Sequence, residues 1–303
     1  MDELNRQIIA LLAENARVSN RDVALRLGVS EPTVAHRVRT MQAANVIRIV
    51  LQRNVRAAAQ AHGLAILDVF VDDADAIGPV GQAIAGFDEI LTVYETSRRP
   101  EIVAHAYAKT QAALGELVMT IGEKIAGLSR LNVSTLLSVN RYLEHIGNLE
   151  VAPAPVEEGS TPREKLLALL SHDARQTTKS LARALGLSET SVRHHMKMLH
   201  KEGFEAALVC DARAMGYAVW TELRVTVAAQ HLRSALASLA HMPDITVTAH
   251  ITGTANLMIF FSARTMEDLD AFVREHIRAM PGMIDFAIMR IPRVIKANYN
   301  MVL

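Results

Sequence analysis

At 303 residues the chain exceeds the usual size of one domain and half of its residues are apolar, so two or more hydrophobic cores are expected. Lys plus Arg and Asp plus Glu are equal at 32 each, which excludes a global field steering the protein to a polyanion; nucleic-acid binding would have to come from local clusters. The single cysteine, Cys210, excludes an internal disulfide framework or a thiolate metal cluster within one chain.

The N-terminal stretch MDELNRQIIALLAEN carries acids and loses its apolar face after about three turns, so it reads as neither a signal peptide nor a membrane span. A soluble, cytoplasmic protein without a membrane partner is expected. Leu4, Ile8, Leu11 and Leu12 form a helical stripe. A second short helix is predicted from Asn20 to Leu27, capped by Ser19, with Gly28 at a tight turn that needs a positive φ. Ser30 then caps a third helix that turns Val34, Val38 and Met41 inward and Thr33, His36, Arg37 and Thr40 outward.

No Asp or Glu occurs between Glu31 and Asp68, whereas Arg37, Arg39, Arg48, Arg53 and Arg56 all fall in that window. A helix of this size fits the major groove, its polar side chains reaching base edges while flanking cations hold phosphates. Thr33, His36, Arg37 and Thr40 are the base-facing candidates, and Arg39, Arg48, Arg53 and Arg56 the phosphate candidates. VIRIVLQRN (46–54) follows as a wing or hinge strand.

From Gly63 the apolar period becomes strand-like. Strands are predicted at 64–72, 90–97, 101–108 and 131–139, with helices at 75–87 and 111–127, giving the order βαββαβ. EVAPAPVEEGST (150–161) is proline-rich and acidic, an extended linker.

Beyond it the sequence repeats. An offset of 158 residues lays LRLGVSEPTVAHR (25–37) on RALGLSETSVRHH (183–195), a tandem duplication. Thr161-Pro162-Arg163-Glu164 opens the second copy as a capping box, and βαββαβ recurs with strands at 218–228, 245–252, 256–263 and 284–291 and helices near 230–241 and 265–279. The copies differ in charge. The second offers Ser191, Arg193, His194, His195, Lys197 and Lys201, but Glu205 and Ala206 replace Ile47 and Arg48, so its hold on phosphate is expected to be weaker.

The fold class is therefore α+β, two winged helix-turn-helix domains (1–60 and 161–212) alternating with two ferredoxin-like βαββαβ domains (61–149 and 213–303), with a linker at 150–160. TELRVTV (221–227) alternates polar and apolar residues while LMIFF (257–261) is apolar on both faces, so the face without helices needs a cover, either the other repeat or another chain. No nucleophile constellation, glycine-rich phosphate loop or carboxylate pair stands out, and the histidines lack partners at metal-ligand spacing; neither an enzyme nor a resident metal or cofactor is expected.

Both copies resemble the Lrp/AsnC (feast/famine) family of transcriptional regulators, through MDELNRQIIALLAENARVSNRDVALRLGVSEPTVAHRVRTMQAANVIR, its echo at 161–204, and the βαββαβ segments after each. The resemblance implies a helix-turn-helix joined by a hinge strand to a small-molecule-sensing domain whose sheets pair face to face, homo-oligomers, and double-stranded DNA as partner. It also implies an effector, commonly an amino acid, at the turn between the second and third sensing strands, often marked Gly-x-x-Asp. Here that turn reads Arg98-Arg99-Pro100-Glu101 in the first copy and Gly253-Thr254-Ala255-Asn256 in the second. Arg98, Arg99 and Glu101, with Gly253, Thr254 and Asn256, are thus the effector candidates, the guanidinium pair suiting a carboxylate. Siroheme decarboxylases share this two-module plan and stand as the alternative reading. The sequence leaves open whether the repeats pair within one chain or between chains.

Overall fold

A computed structural model describes residues 1–53, 63–142, 146, 147, 160–242 and 244–297. These fall into two compact units, each assembled from both copies: residues 1–53 with 146, 147 and 160–215, and residues 63–142 with 216–297. The second copy therefore changes unit at 215/216 rather than at 212/213. Asp211 explains this, because its carboxylate and carbonyl receive the amides of Ala214 (2.9 Å) and Met215 (3.1 Å) and fold that turn back onto the first unit.

In the first unit, α1 (Glu3–Glu14), α2 (Asn20–Leu27) and α3 (Glu31–Ala43) form the first helix-turn-helix, and β1 (Ile47–Arg53) follows. Their starts are set by side-chain caps. Asp2 accepts from the Asn5 amide (2.8 Å), Ser19 from that of Asp22 (3.1 Å) and Ser30 from that of Thr33 (3.2 Å). Gly28 ends α2 in the left-handed region (φ 67°), as the sequence predicts, and Gly186 does the same (φ 66°) in the second copy. A Cβ at either would meet nothing within 4 Å. Gly28→Ala and Gly186→Ala should therefore each cost about 1–2 kcal/mol through backbone strain alone, measurable by urea unfolding.

The second helix-turn-helix is α6 (Pro162–His172), α7 (Thr178–Leu185) and α8 (Glu189–Lys201), followed by β7 (Phe204–Asp211). The predicted Thr161–Glu164 capping box is formed. β1 and β7 are hinge strands that pair antiparallel with each other, Ile47 opposite Cys210 and Arg53 opposite Phe204. β6 (Ile146–Gly147) adds parallel to β7. The Ala174 amide donates to Ile49 O (2.7 Å) and the Asp211 amide to Val46 O (2.8 Å). One core results, with Ile8, Leu12, Val34, Val38 and Ile49 from the first copy packed with Leu166, Leu170, Val192, Leu199 and Phe204 from the second. Within this unit the repeats thus pair inside one chain, the choice the sequence leaves open.

The second unit contains β2 (Gly63–Val71), α4 (Ile77–Ala85), β3 (Ile90–Glu95), β4 (Ile102–Ala108), α5 (Gln111–Lys124) and β5 (Leu128–Tyr142) from the first copy. The second copy supplies β8 (Val219–Val227), α9 (Ala229–Leu239), β9 (Ile245–Ile251), β10 (Leu257–Ala263), α10 (Met266–Phe272), β11 (Met283–Arg290) and β12 (Arg293–Ala297). Both show the expected βαββαβ order, within a single nine-stranded sheet ordered β11-β8-β10-β9-β5-β2-β4-β3-β12.

The last strand of the first copy outruns its predicted length because it has two partners, and the second copy adds a further strand, β12, beyond its predicted last one. β5 pairs first with β2 and then, from Leu136 to Tyr142, with β9 of the other copy. β11 pairs with β8, and after two residues β12 continues along β3. The exchange joins the copies at both ends. Helices cover one face of each half, α4 and α5 over Leu67, Val93 and Ala104, α9 and α10 over Leu223, Leu257 and Ile259. The other faces meet: Arg224 of β8 reaches Asp68 of β2, and Phe260 of β10 lies 5.9 Å from Tyr94 of β3. The cover predicted for the apolar face is therefore the other repeat.

Candidate functional site

Two sites follow from this frame, the outward faces of α3 and α8 and the turns before β4 and β10. On α3, His36, Arg39 and Thr40 are exposed. Arg39 Nε donates back to Ala35 O (3.2 Å) and Thr40 Oγ1 to His36 O (3.0 Å), which orders the side chains along the helix. Thr33 is half-buried and shares a hydroxyl hydrogen bond with Ser30 (2.7 Å), so it belongs to the helix cap as much as to the outer face.

Arg37, the remaining base-facing candidate, is half-buried. Its guanidinium turns toward α1, pairing with Asp2 and donating to Asn5 Oδ1 (3.0 Å). The Arg37 hydrogen bond holds the Asp2 carboxyl below its usual range. Through these contacts Arg37 links α3 to the start of α1. Arg48 is half-buried on β1 opposite Val209. Arg56 and the side chain of Arg53 lie outside the described residues, as does 150–159 of the predicted linker.

On α8, His194 and Lys197 are exposed, His195 is half-buried beside His194, and Ser191 takes part in the Ser188 cap (3.2 Å). Arg193 is exposed and contacts Glu189 one turn back (3.4 Å), an arrangement of small energetic weight that a phosphate can displace. Cys210 is buried in the shared core, and burial pushes its thiol up to about 12, leaving a protonated, unreactive group.

In the sensing unit the first-copy turn binds itself. Arg99 donates to Asp72 (2.6 Å) and to Glu101 Oε1 (2.8 Å), and Glu101 Oε2 accepts from the Val71 amide (3.1 Å). Hydrogen bonds from Arg99 to Asp72 and Glu101 hold the guanidinium charged. Arg98 is exposed at the tip. The two guanidinium groups are both exposed, but Arg99 is engaged by Asp72 and Glu101.

The second-copy turn uses its amide in the same place. Asn256 Oδ1 accepts from the Val227 amide (2.9 Å) and Nδ2 donates to Val227 O (2.7 Å), tying β10 to the end of β8 as Glu101 ties β4 to the end of β2. Thr254 O accepts from Thr226 Oγ1 (3.0 Å). Gly253 adopts φ 111°, and a Cβ there would sit 2.7 Å from Ser134 Oγ on β5. Each turn lies against the other copy's last strand: Thr252 N donates to Thr135 O (2.9 Å), and Ser97 N to Arg290 O (2.9 Å).

Sequence reasoning did not anticipate the polar cluster between the two halves of the nine-stranded sheet. Arg224 donates to both oxygens of Asp68 (3.0 and 2.8 Å) and to Glu222, and the Tyr94 hydroxyl donates to Glu222, which is fully buried. Burial opposes the charge on Arg224, but Glu222 and Asp68 outweigh it and keep the guanidinium protonated. Burial raises the Asp68 carboxyl and, strongly, the Tyr94 phenol. Beside them His105 Nδ1 is hydrogen-bonded to Thr92 (2.6 Å), its Nε2 has no partner, and burial pushes the imidazole down to about 4. The polar phase of TELRVTV is the signal in the sequence that points to it. Among the described residues no three His, Cys, Asp or Glu side chains gather as metal ligands, and no helix is long and apolar enough to cross a membrane.

Comparison with known proteins agrees with this architecture. Residues 1–42 match the AsnC-type helix-turn-helix domain, residues 162–204 a winged helix-turn-helix DNA-binding domain, and residues 222–301 the Lrp/AsnC ligand-binding domain. The chain belongs to the Lrp/AsnC family. Within that family it is a tandem-duplicated form, with DNA-binding modules in both copies and a ligand-binding module of the family type. An uncharacterized HTH-type transcriptional regulator of Pyrococcus abyssi is 25% identical over 121 residues, 39% of this chain and 76% of that protein. The transcriptional regulatory protein DoeX of Halomonas elongata is 23% identical over 137 residues, 44% of this chain and 87% of that protein. Among solved structures, the siroheme decarboxylase NirDL superposes over 99% of this chain and 94% of its own, with a TM-score of 0.66 and 12% identity, a likeness of fold.

Proposed function

We propose that this protein is a sequence-specific transcriptional regulator, active in the cytoplasm as a homo-oligomer, that reads double-stranded DNA with one recognition helix from each copy and answers to a small molecule at the sensing turns. It is not an enzyme in this reading. The observation that carries the proposal is the pairing of α3 and α8 on one core, each capped and each exposing a polar, cationic face. Such a pair suits two half-sites approached from one side of the duplex.

The first copy supplies most of the phosphate grip, because its sequence carries Arg39, Arg48, Arg53 and Arg56 with no acid between Glu31 and Asp68, while Glu205 and Ala206 stand at the start of β7. Arg39→Ala with Arg48→Ala should lower the slope of log affinity against log salt by about two units, as each lost phosphate contact removes about one. Lys197→Ala with Lys201→Ala should lower it less. Fluorescence anisotropy on promoter DNA across a salt series checks this, and the reverse ranking would contradict it. At the turns, exposed Arg98 suits an acidic small molecule, with amino acids as the class the family implies.

A second reading rests on the likeness to siroheme decarboxylase NirDL over almost the whole chain. A purified protein that bound tetrapyrrole, shown by a Soret band, while failing to retard promoter DNA would favour it.

A further inference from the structure

The polar cluster between the two halves of the sheet is built around equivalent positions. Asp68 is the sixth residue of the nine-residue strand β2, and Arg224 the sixth residue of the nine-residue strand β8. His105 and Phe260 are each the fourth residue of seven-residue strands, with ring centroids 5.8 Å apart. The local two-fold relation between the copies therefore passes through these pairs, so residues here meet their own counterparts. If the copies were identical, a like charge would face itself.

The flanking positions have diverged in the same sense. Glu222 corresponds to Ile66, each the fourth residue of its strand, and Tyr94 corresponds to Ala249, opposite the equivalent residues Val103 and Met258. On one side of the relation a phenol meets a carboxylate; on the other both positions, Ile66 and Ala249, are apolar and fully buried.

We propose that Asp68 and Arg224, with Tyr94 and Glu222 beside them, are a pairing code through which the first sensing copy accepts the second and each refuses another of its own kind. Pairing two first copies would bury Asp68 against Asp68 and set Tyr94 against Ile66. Two second copies would bury Arg224 against Arg224 and leave Glu222 without its phenol donor. Buried like charges are costly enough to decide such a choice. The partner this surface fits is the other half of the chain.

The test uses full-length chains. Asp68→Arg places two arginines across the relation and Arg224→Asp two aspartates; each should lower the thermal midpoint by about 10 °C or leave the protein insoluble. The reciprocal chain, Asp68→Arg with Arg224→Asp, should recover more than half of that loss. Recovery in the reciprocal chain would support the code. A reciprocal chain no better than the single variants would overturn it.

Discussion

Phe204→Ala is expected to destabilise both helix-turn-helix modules at once, by about 3–5 kcal/mol. Phe204 is 2% exposed and opens β7, but the core it enters contains Ile8, Leu12 and Val38 of the first copy as well as Leu170 and Leu199 of the second. A cavity there removes contacts from both copies, and β1 loses support because Arg53 to Ile47 pair with β7 from Phe204 to Cys210. Urea unfolding followed by helical circular dichroism should show one transition moved to lower urea, with DNA retardation lost in parallel. A variant in which half of the helical signal unfolded at the parent's midpoint would show that the modules are independent.

A second large effect is expected with pH. An imidazole in an unfolded chain titrates near 6.5, whereas burial holds His105 down to about 4, with Glu222 raising it and Arg224 lowering it further. Between those values the unfolded chain binds a proton that the folded chain does not. Stability is therefore fully present above about pH 6.5 and is lost as pH falls toward 4, by about 3 kcal/mol for this group. His105→Phe, which installs the side chain found at the equivalent position 260, should flatten the dependence. The urea midpoint at pH 7 and pH 5 for parent and variant checks it: the parent should fall more steeply, and equal slopes would remove His105 as the cause.

Much of this structure is legible locally. The caps Ser19, Ser30, Thr161 and Ser188, the left-handed Gly28 and Gly186, and the βαββαβ order rest on residues within a few positions of one another. The exchange of β5 and β12 between copies is not, because β5 meets β9 across more than 100 residues of sequence and no local pattern encodes that choice. Arg37 departs from expectation for a related reason: helical periodicity places it outward, while the anion that captures it, Asp2, lies 35 residues away. At the sensing turns the sequence locates Glu101 and Asn256 at equivalent points, but only the register shows that both tie a strand end. Asp68 and Arg224 occupy one aligned position with opposite charge, which gains meaning once the two halves of the sheet are known to face each other.

The most direct measurement is a footprint of the full-length protein on the DNA upstream of its own gene. Two half-sites of unequal sequence should be protected. Protection of one half-site should be lost with His36→Ala plus Arg39→Ala on α3, and of the other with His194→Ala plus Lys197→Ala on α8. Absence of sequence-specific protection, or protection that both sets of substitutions leave unchanged, would contradict a regulator that reads DNA with one helix from each copy.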